Sequence, residues 1–480
     1  MKFNALSKLL LICISFFVTF NCSSDSVEQP NTDIDGDTIS NAFDNCVEVA
    51  NTDQLDSDND GEGDACDNDD DNDGILDEND NCPLIANTDQ EDADNDGLGD
   101  VCDDSIILPQ YPCVNGFANG YPCDGFDLMS EIPVEELGGS GAEGNDSWGW
   151  TDTETGKEYA LIGTTTSAAF VDLSDPSNPI FLGRLPTATV NSLWRDIKTY
   201  NNYAFIVSEA PGHGMQIFDL TRLRDVQNPP VTFTADGMYN GFGSAHNIII
   251  NETSGFAYAV GSDTFSGGPH FVNIQNPTNP VAAGGYSDDA YSHDAQVVTY
   301  NGPDADHTGK EILIGSNENE VVIVDVTDKN TPIQISTIGY SNISYTHQGW
   351  FTENMEYFLL GDEVDEINFG VNSRTIVFDF TDLDNPVFHM DYLGPTGAID
   401  HNGYVVGNTF YIANYSAGLR AVDISNIASG TMVESGSFDT YIPDNSTSFH
   451  GAWNIYPFFA SGNIIVSDIE GGMLVVKPSN

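Results

Sequence analysis

The sequence predicts an all-β protein: a seven-bladed β-propeller preceded by an irregular, calcium-binding acidic segment. Three observations carry this reading. Beyond about Phe126, short β-type runs bounded by Gly, Asn, Asp and Pro recur, and helical periodicity is nearly absent. One type of run returns at roughly 50 residues, a blade-like period: AAFVDLSDPSNP from Ala168, GMQIFDL from Gly214, HFVNIQNPTNP from His270, VVIVDVTDKNTP from Val321, TIVFDFTDLDNP from Thr375 and LRAVDIS from Leu419. Before Phe126, three Asp-rich stretches repeat one another.

In chain order, residues 1–21 read as a signal peptide, MKFNALSKLLLICISFFVTFN, with Lys2 and Lys8 ahead of and inside an apolar run. Cys22, followed by Ser23, Ser24 and Asp25, sits where bacterial lipoproteins are acylated, so residues 22–32 are expected to be a lipid-anchor linker joining the chain to a membrane. That places the protein at the bacterial outer membrane or cell surface. Net charge is −62, from 13 Lys and Arg against 75 Asp and Glu, which excludes nucleic acid as a partner.

Residues 33–104 hold the acidic repeats DQLDSDNDGEGDACD, DNDDDNDGILDENDNC and DQEDADNDGLGDVCD. Calcium takes six to eight hard oxygens, and alternating carboxylates ahead of a turn-forming Gly wrap a short loop around it. The expected ligand sets are Asp56, Asp58, Asp60 and Asp64; Asp69, Asp71, Asp73 and Asp77; and Asp92, Asp94, Asp96 and Asp100. Asp33, Asp35 and Asp37 open a weaker first copy. No apolar helical face flanks these loops, so they are not ordinary EF-hands. In an exported chain the even set of later cysteines is expected to form disulfides, and equal spacing favours Cys46 with Cys66, Cys82 with Cys102, and Cys113 with Cys123. The last pair falls in residues 105–125, read as a linker.

Residues 126–480 are read as the propeller. Each repeating run is preceded by another apolar strand, such as EILIGSN from Glu311, and usually followed by a third, such as PIFLGRL from Pro179. With an opening strand, that makes a four-stranded blade. Openings at Trp148, Trp194, His246, His293, His347, His401 and His450 count seven. The last unit stops at VVKPSN without an outer strand, so FDLMSEIP from Phe126 is expected to complete blade seven and close the ring.

His246, His293, His347, His401 and His450 open their units, with Asp196 in the corresponding place in blade two. Second strands end nearby at Asp263, Asp362, Glu363 and Asp468, and Arg195 lies beside them. The expectation is one axial mouth lined by these residues. Imidazoles with carboxylates suit a transition metal or acid–base chemistry, although blade duplication alone would also repeat a structural His.

The acidic segment resembles thrombospondin type 3 repeats in its D-x-D-x-D-G motif, Asp69 to Gly74, and its DNCP motif, Asp80 to Pro83. Thr38 and Asn41 replace that family's Gly and Asp. VVIVDVTD resembles the LVIVD repeat, and the chain from about Cys113 resembles the choice-of-anchor B family of exported bacterial proteins in motifs such as CVNGFANGYPC, WGWTD, GHGMQIFDLTRLR, HQGWF and HGAWNIYPFF. That resemblance implies a surface anchor and no set activity. Two functions follow. One is a surface-tethered binding protein, its head taking an extracellular protein, glycan or small ligand and its stalk stiffened by calcium. The other is a metal-dependent hydrolase or lyase at the mouth; no G-x-S-x-G or other recognised catalytic motif supports it.

Overall fold

Strands buried on both faces cannot alternate polar and apolar residues, and the runs read above as second and third strands are nearly all apolar. In the computed structural model, which describes residues 32–92, 97–99, 101–102, 107–289 and 291–479, such strands are buried along their whole length, as in Glu158–Thr164, Ser167–Asp172 and Glu311–Ser316, or along all but the last residue, as in Val321–Asp325. The chain divides into two units, residues 1–106 and 107–480.

The second unit is a seven-bladed propeller of four-stranded antiparallel meanders. The inner strands are Gly144–Thr151, Arg195–Tyr200, Asn247–Asn251, Asp294–Thr299, Thr346–Phe351, Gly403–Val406 and Ala452–Tyr456. Apolar clusters such as Tyr300, Ile312, Ile323, Phe358 and Phe378 bind each blade to the next. Polar residues of the inner strands also join neighbours: Asp146 accepts from the Ile197 N–H (3.1 Å), Asp196 from the Ile248 N–H (2.6 Å), and Gln348 from the Gly403 N–H (2.9 Å).

The Asp or Asn that ends a third strand has a local task. Asp172, Asp219, Asn273, Asp325, Asp379 and Asp423 each accept the backbone N–H two residues on, closing an Asx turn before the outer strand. This explains why the repeating run ends in that residue type.

Phe126–Pro133 pairs antiparallel with the last strand, Gly472–Pro478, and completes blade seven. Residues 107–125, expected to be a linker, instead belong to the propeller unit. The hairpin of Phe117–Ala118 and Tyr121–Asp124 extends blade six through Cys123 opposite Phe438, and Tyr111 bridges to Leu128. The Cys113–Cys123 disulfide closes this hairpin. Its few apolar residues are enough because it adds a short edge to an existing sheet.

The first unit has no regular strand or helix among its described residues and is held by turns and cross-links. Cys46–Cys66 and Cys82–Cys102 each span 20 residues with a Cα separation of 5.7 Å. An amide network is copied from one repeat to the next. Asn45 N–H donates to Gln54 Oε1 and Asn51 Nδ2 to Asn45 Oδ1, while Asn81, Gln90 and Asn87 repeat both bonds at the same 3.1 and 2.7 Å.

Candidate functional site

In the acidic unit, three Asp triplets converge: Asp33, Asp35 and Asp37; Asp56, Asp58 and Asp60; Asp69, Asp71 and Asp73. In each triplet three oxygens lie within 4.8 Å of one another. Backbone N–H groups hold one side of these carboxylates: Gly61 to Asp56 (3.2 Å), Gly74 to Asp69 (3.2 Å) and Gly97 to Asp92 (3.1 Å). The opposite oxygens, Asp56 Oδ1, Asp69 Oδ1 and Asp92 Oδ1, are buried with no hydrogen-bond partner. At Asp56 and Asp69 such an oxygen belongs to a triplet whose carboxylates converge, an arrangement that fits a hard divalent cation. Asp64 and Asp77 lie one step outside, bracing the loops: Asp64 accepts from Ser57 N–H and Oγ, and Asp77 from the Asp70 N–H. Asp94, Asp96 and Asp100, like Cys22 and the signal segment, lie outside the described residues.

In the propeller, a cavity of about 440 Å³ opens at one end of the axis. Its floor is four imidazoles in an arc: His246, His293, His347 and His401, with successive ring centroids 4.1, 4.4 and 4.5 Å apart. Each precedes the inner-strand residue at the stitching position (Asn247, Asp294, Gln348, Asn402), and a β-bulge between Thr346 and Gln348 aims His347. The inner strands thus supply the repeat and the bulge supplies the direction.

Other elements orient the rings. His246 Nδ1 meets Glu209 at 2.7 Å, and His293 Nδ1 meets the Tyr345 hydroxyl at 2.9 Å. His401 Nδ1–H donates to the Trp453 carbonyl. Glu363 lies between two rings, 3.7 Å from His347 Nε2 and 3.6 Å from His401 Nε2, and accepts from the Tyr415 hydroxyl at 2.9 Å. Burial, then the neighbouring imidazoles, holds His293 far below the ordinary histidine range; burial lowers His347 and His401 to about 3. These three rings are neutral at physiological pH.

Several residues expected in the mouth lie elsewhere. Asp196 is one position out of phase: the stitching pattern aligns Arg195 with the histidines, and Asp196 reaches the neighbouring blade and Lys198. Arg195 is buried against the Thr164 carbonyl and His213. Asp362 accepts from the Ser344 and Tyr345 N–H groups and shapes the loop before blade five. Asp263 accepts from the Gly243 N–H, and Asp468 closes the last hairpin through Glu470 and Gly471. His450 does line the cavity, at its rim, half-exposed and stacked on Tyr441, but Trp453 rather than His450 holds the histidine phase in blade seven. Tyr345, Tyr415 and Phe449 were not expected; they come from loops with no repeat to mark them.

Behind the mouth, Glu366 and Asp400 form a buried carboxyl pair. Burial pushes Glu366 up to about 8, and burial followed by the Glu366 charge raises Asp400 well above its usual range. Burial also lifts Asp294 to about 7 and Asp468 to about 6. The unfolded chain ionises these groups near pH ~4, so across the window up to about 8 the native state holds more protons. Stability from these groups is therefore greatest at the acid end and falls as pH rises. The depressed histidines oppose this below about pH 7, where the unfolded chain protonates them, so the propeller's melting temperature, followed by Trp fluorescence in calcium buffer, should drop between about pH 7 and about pH 8, a loss on the order of 1–2 kcal/mol. Glu366→Gln should flatten that slope; an unchanged slope would remove the pair as its source.

The site and fold define an exported, calcium-binding β-propeller protein, since disulfide-laced calcium repeats belong to oxidising, calcium-rich surroundings. The thrombospondin type 3 repeat model matches residues 22–54 and 55–90, and the LVIVD repeat model matches residues 157–187 and 404–440, parts of blades one and six. No curated protein matches the chain. Among solved structures it is similar to the Cps50 (Swd1) β-propeller domain of Myceliophteria thermophila, with 10% identity over 71% of this chain and 100% of that one and a TM-score of 0.43. It is likewise similar to Kuenenia stuttgartiensis hydrazine synthase, with 10% identity over 67% and 92% and a TM-score of 0.46.

Proposed function

We propose that this is a lipid-anchored surface protein of a bacterial outer membrane, whose propeller captures a small neutral or cationic ligand, such as a glycan end, in the axial mouth. The choice-of-anchor B resemblance and the sequence around Cys22 support the tether. The observation that carries the binding reading is the composition of the cavity. Its volume is that of a small-ligand site. Trp194 and Phe449 stand exposed at its edge, and Glu143, Glu363 and Glu470 line it, with no Lys or Arg among its described lining residues. Such a mouth repels anions and offers aromatic faces for stacking.

The test is to screen the full chain, in calcium, against an array of neutral, amino-bearing and acidic glycans, beside a Trp194→Ala, Phe449→Ala variant. Both side chains are exposed, so the variant should fold. Binding confined to neutral or amino-bearing glycans and weakened about tenfold in the variant is expected. Preference for acidic glycans, or binding unaffected by the variant, would refute the reading.

A further inference from the structure

Among the buried polar groups of the propeller, one arrangement is electrostatically incomplete. His401 Nδ1 donates its proton to the Trp453 carbonyl, which can only accept. With Nδ1 engaged there, Nε2 is the ring atom left over, and it faces a Glu363 oxygen at 3.6 Å. On the other side the second Glu363 oxygen faces His347 Nε2 at 3.7 Å. Both separations are too long for a hydrogen bond. The three donor atoms lie within 4.8 Å of one another, and His347 and His401 are 2% and 5% exposed. Nearly buried imidazole nitrogens that converge on one carboxylate without a hydrogen bond leave donor atoms that a cation between them would satisfy.

We propose that His347 Nε2, His401 Nε2 and Glu363 hold a divalent first-row transition ion. Metal–ligand distances of about 2.0–2.2 Å imply ligand atoms roughly 3.4 Å apart in a tetrahedral site, so the imidazole–carboxylate separations of 3.6 and 3.7 Å would close slightly and the three donor atoms, now within 4.8 Å of one another, would draw together on the ion. The surrounding contacts are those of a metal site: a backbone carbonyl fixes the His401 tautomer, and the Tyr415 hydroxyl orients the carboxylate. A second observation points the same way. His293 lines the same cavity beside His347, and its Nε2 is buried without a partner. It is placed to serve as a further ligand or to hold a metal-bound water.

Two imidazoles, one carboxylate and a side open to a cavity form an incomplete coordination shell. The remaining position would take an oxygen of the captured ligand. The metal assignment rests on reading the mouth as the functional site but does not depend on the ligand's identity.

Cobalt(II) is the probe, because low-coordinate nitrogen-bearing sites absorb visible light strongly while the oxygen-only acidic repeats absorb weakly. The full chain, held in excess calcium, should bind one cobalt per propeller with intense visible bands. Glu363→Gln, nearly isosteric, should weaken that affinity at least tenfold, and His347→Gln should abolish the bands. X-ray absorption of the zinc-loaded wild-type chain, which needs no variant to fold, should show imidazole scattering. No intense bands, bands untouched by both variants, or an oxygen-only zinc shell would overturn the assignment. None of these would by itself cancel glycan binding, which the Trp194 and Phe449 variant tests separately.

Discussion

Replacing Lys198 by Met is expected to remove about 3–5 kcal/mol of propeller stability, the cost of leaving a buried charge without its partner. Lys198 Nζ lies 2.5 Å from Asp196 and 3.3 Å from Asp146, in a smaller cavity along the axis, with all three side chains at least 85% buried. Burial opposes charge on each. Even so, the two carboxylates hold the ammonium above its usual value, and Lys198 with the neighbouring hydrogen bonds holds Asp196 below its own. Asp146 moves the other way, raised by burial and then by Asp196, so the pair keeps a proton between them. The site is then neutral overall, one ammonium against one shared negative charge. Met keeps the stem that packs on Trp148, where Nζ lies 4.5 Å from the ring centroid, and deletes only the charge. Urea unfolding should show a lower midpoint, and adding Asp196→Asn should recover most of it. A single variant as stable as the wild type would show that this triad does not stabilise the ring.

Much of this architecture is legible in the sequence, because two-sided burial writes continuous apolar runs and the Asx turn writes an Asp or Asn after them. Strand closure is legible for a related reason: VVKPSN leaves blade seven one strand short, and FDLMSEIP has the pattern to fill it. The site is legible only to within a few residues. Blade openings are read by counting, and the inner strands carry bulges between Gly144 and Ser147, Thr346 and Gln348, and Ala452 and Asn454 that counting cannot detect. The blade-seven bulge falls at Trp453, the position that matches His401, three residues beyond the counted His450, whereas blade two pairs without a bulge and Asp196 is simply one residue beyond Arg195, the position that matches His246. Glu363 was found because it ends a strand. Tyr345 and Tyr415 are loop residues, and what defines them is contact, Tyr345 with His293 of the preceding blade and Tyr415 with His401 of its own blade and Glu363 of the preceding one, which spacing does not encode.

Chelating calcium is expected to unfold the first unit while leaving the propeller's transition in place. Residues 32–106 contain no Lys or Arg, so nothing but bound cations offsets their carboxylates. The crowding is visible at Asp70, which burial and then Asp77 and Asp64 push up to about 6. Calcium at about a thousand times its Kd would supply roughly 4 kcal/mol per site, against a unit with no regular sheet or helix among its described residues. The two disulfides, worth roughly 3 kcal/mol each, limit expansion without restoring the loops. In chelator, proteolysis should cleave between Asp33 and Asp92, and calcium should reverse this; equal resistance in both conditions would refute calcium dependence. The first loop offers an internal control. Thr38 adopts φ +82° where Gly61 and Gly74 adopt +101° and +96°, and a β-branched residue there costs about 1–2 kcal/mol. Glycine regains most of that and gives back roughly 0.5–1 kcal/mol as unfolded-state entropy. Thr38→Gly should therefore tighten calcium binding at the first site about two- to fivefold and leave the others unchanged, as read by calcium titration. An affinity that fell would mean the threonine side chain itself supports the loop.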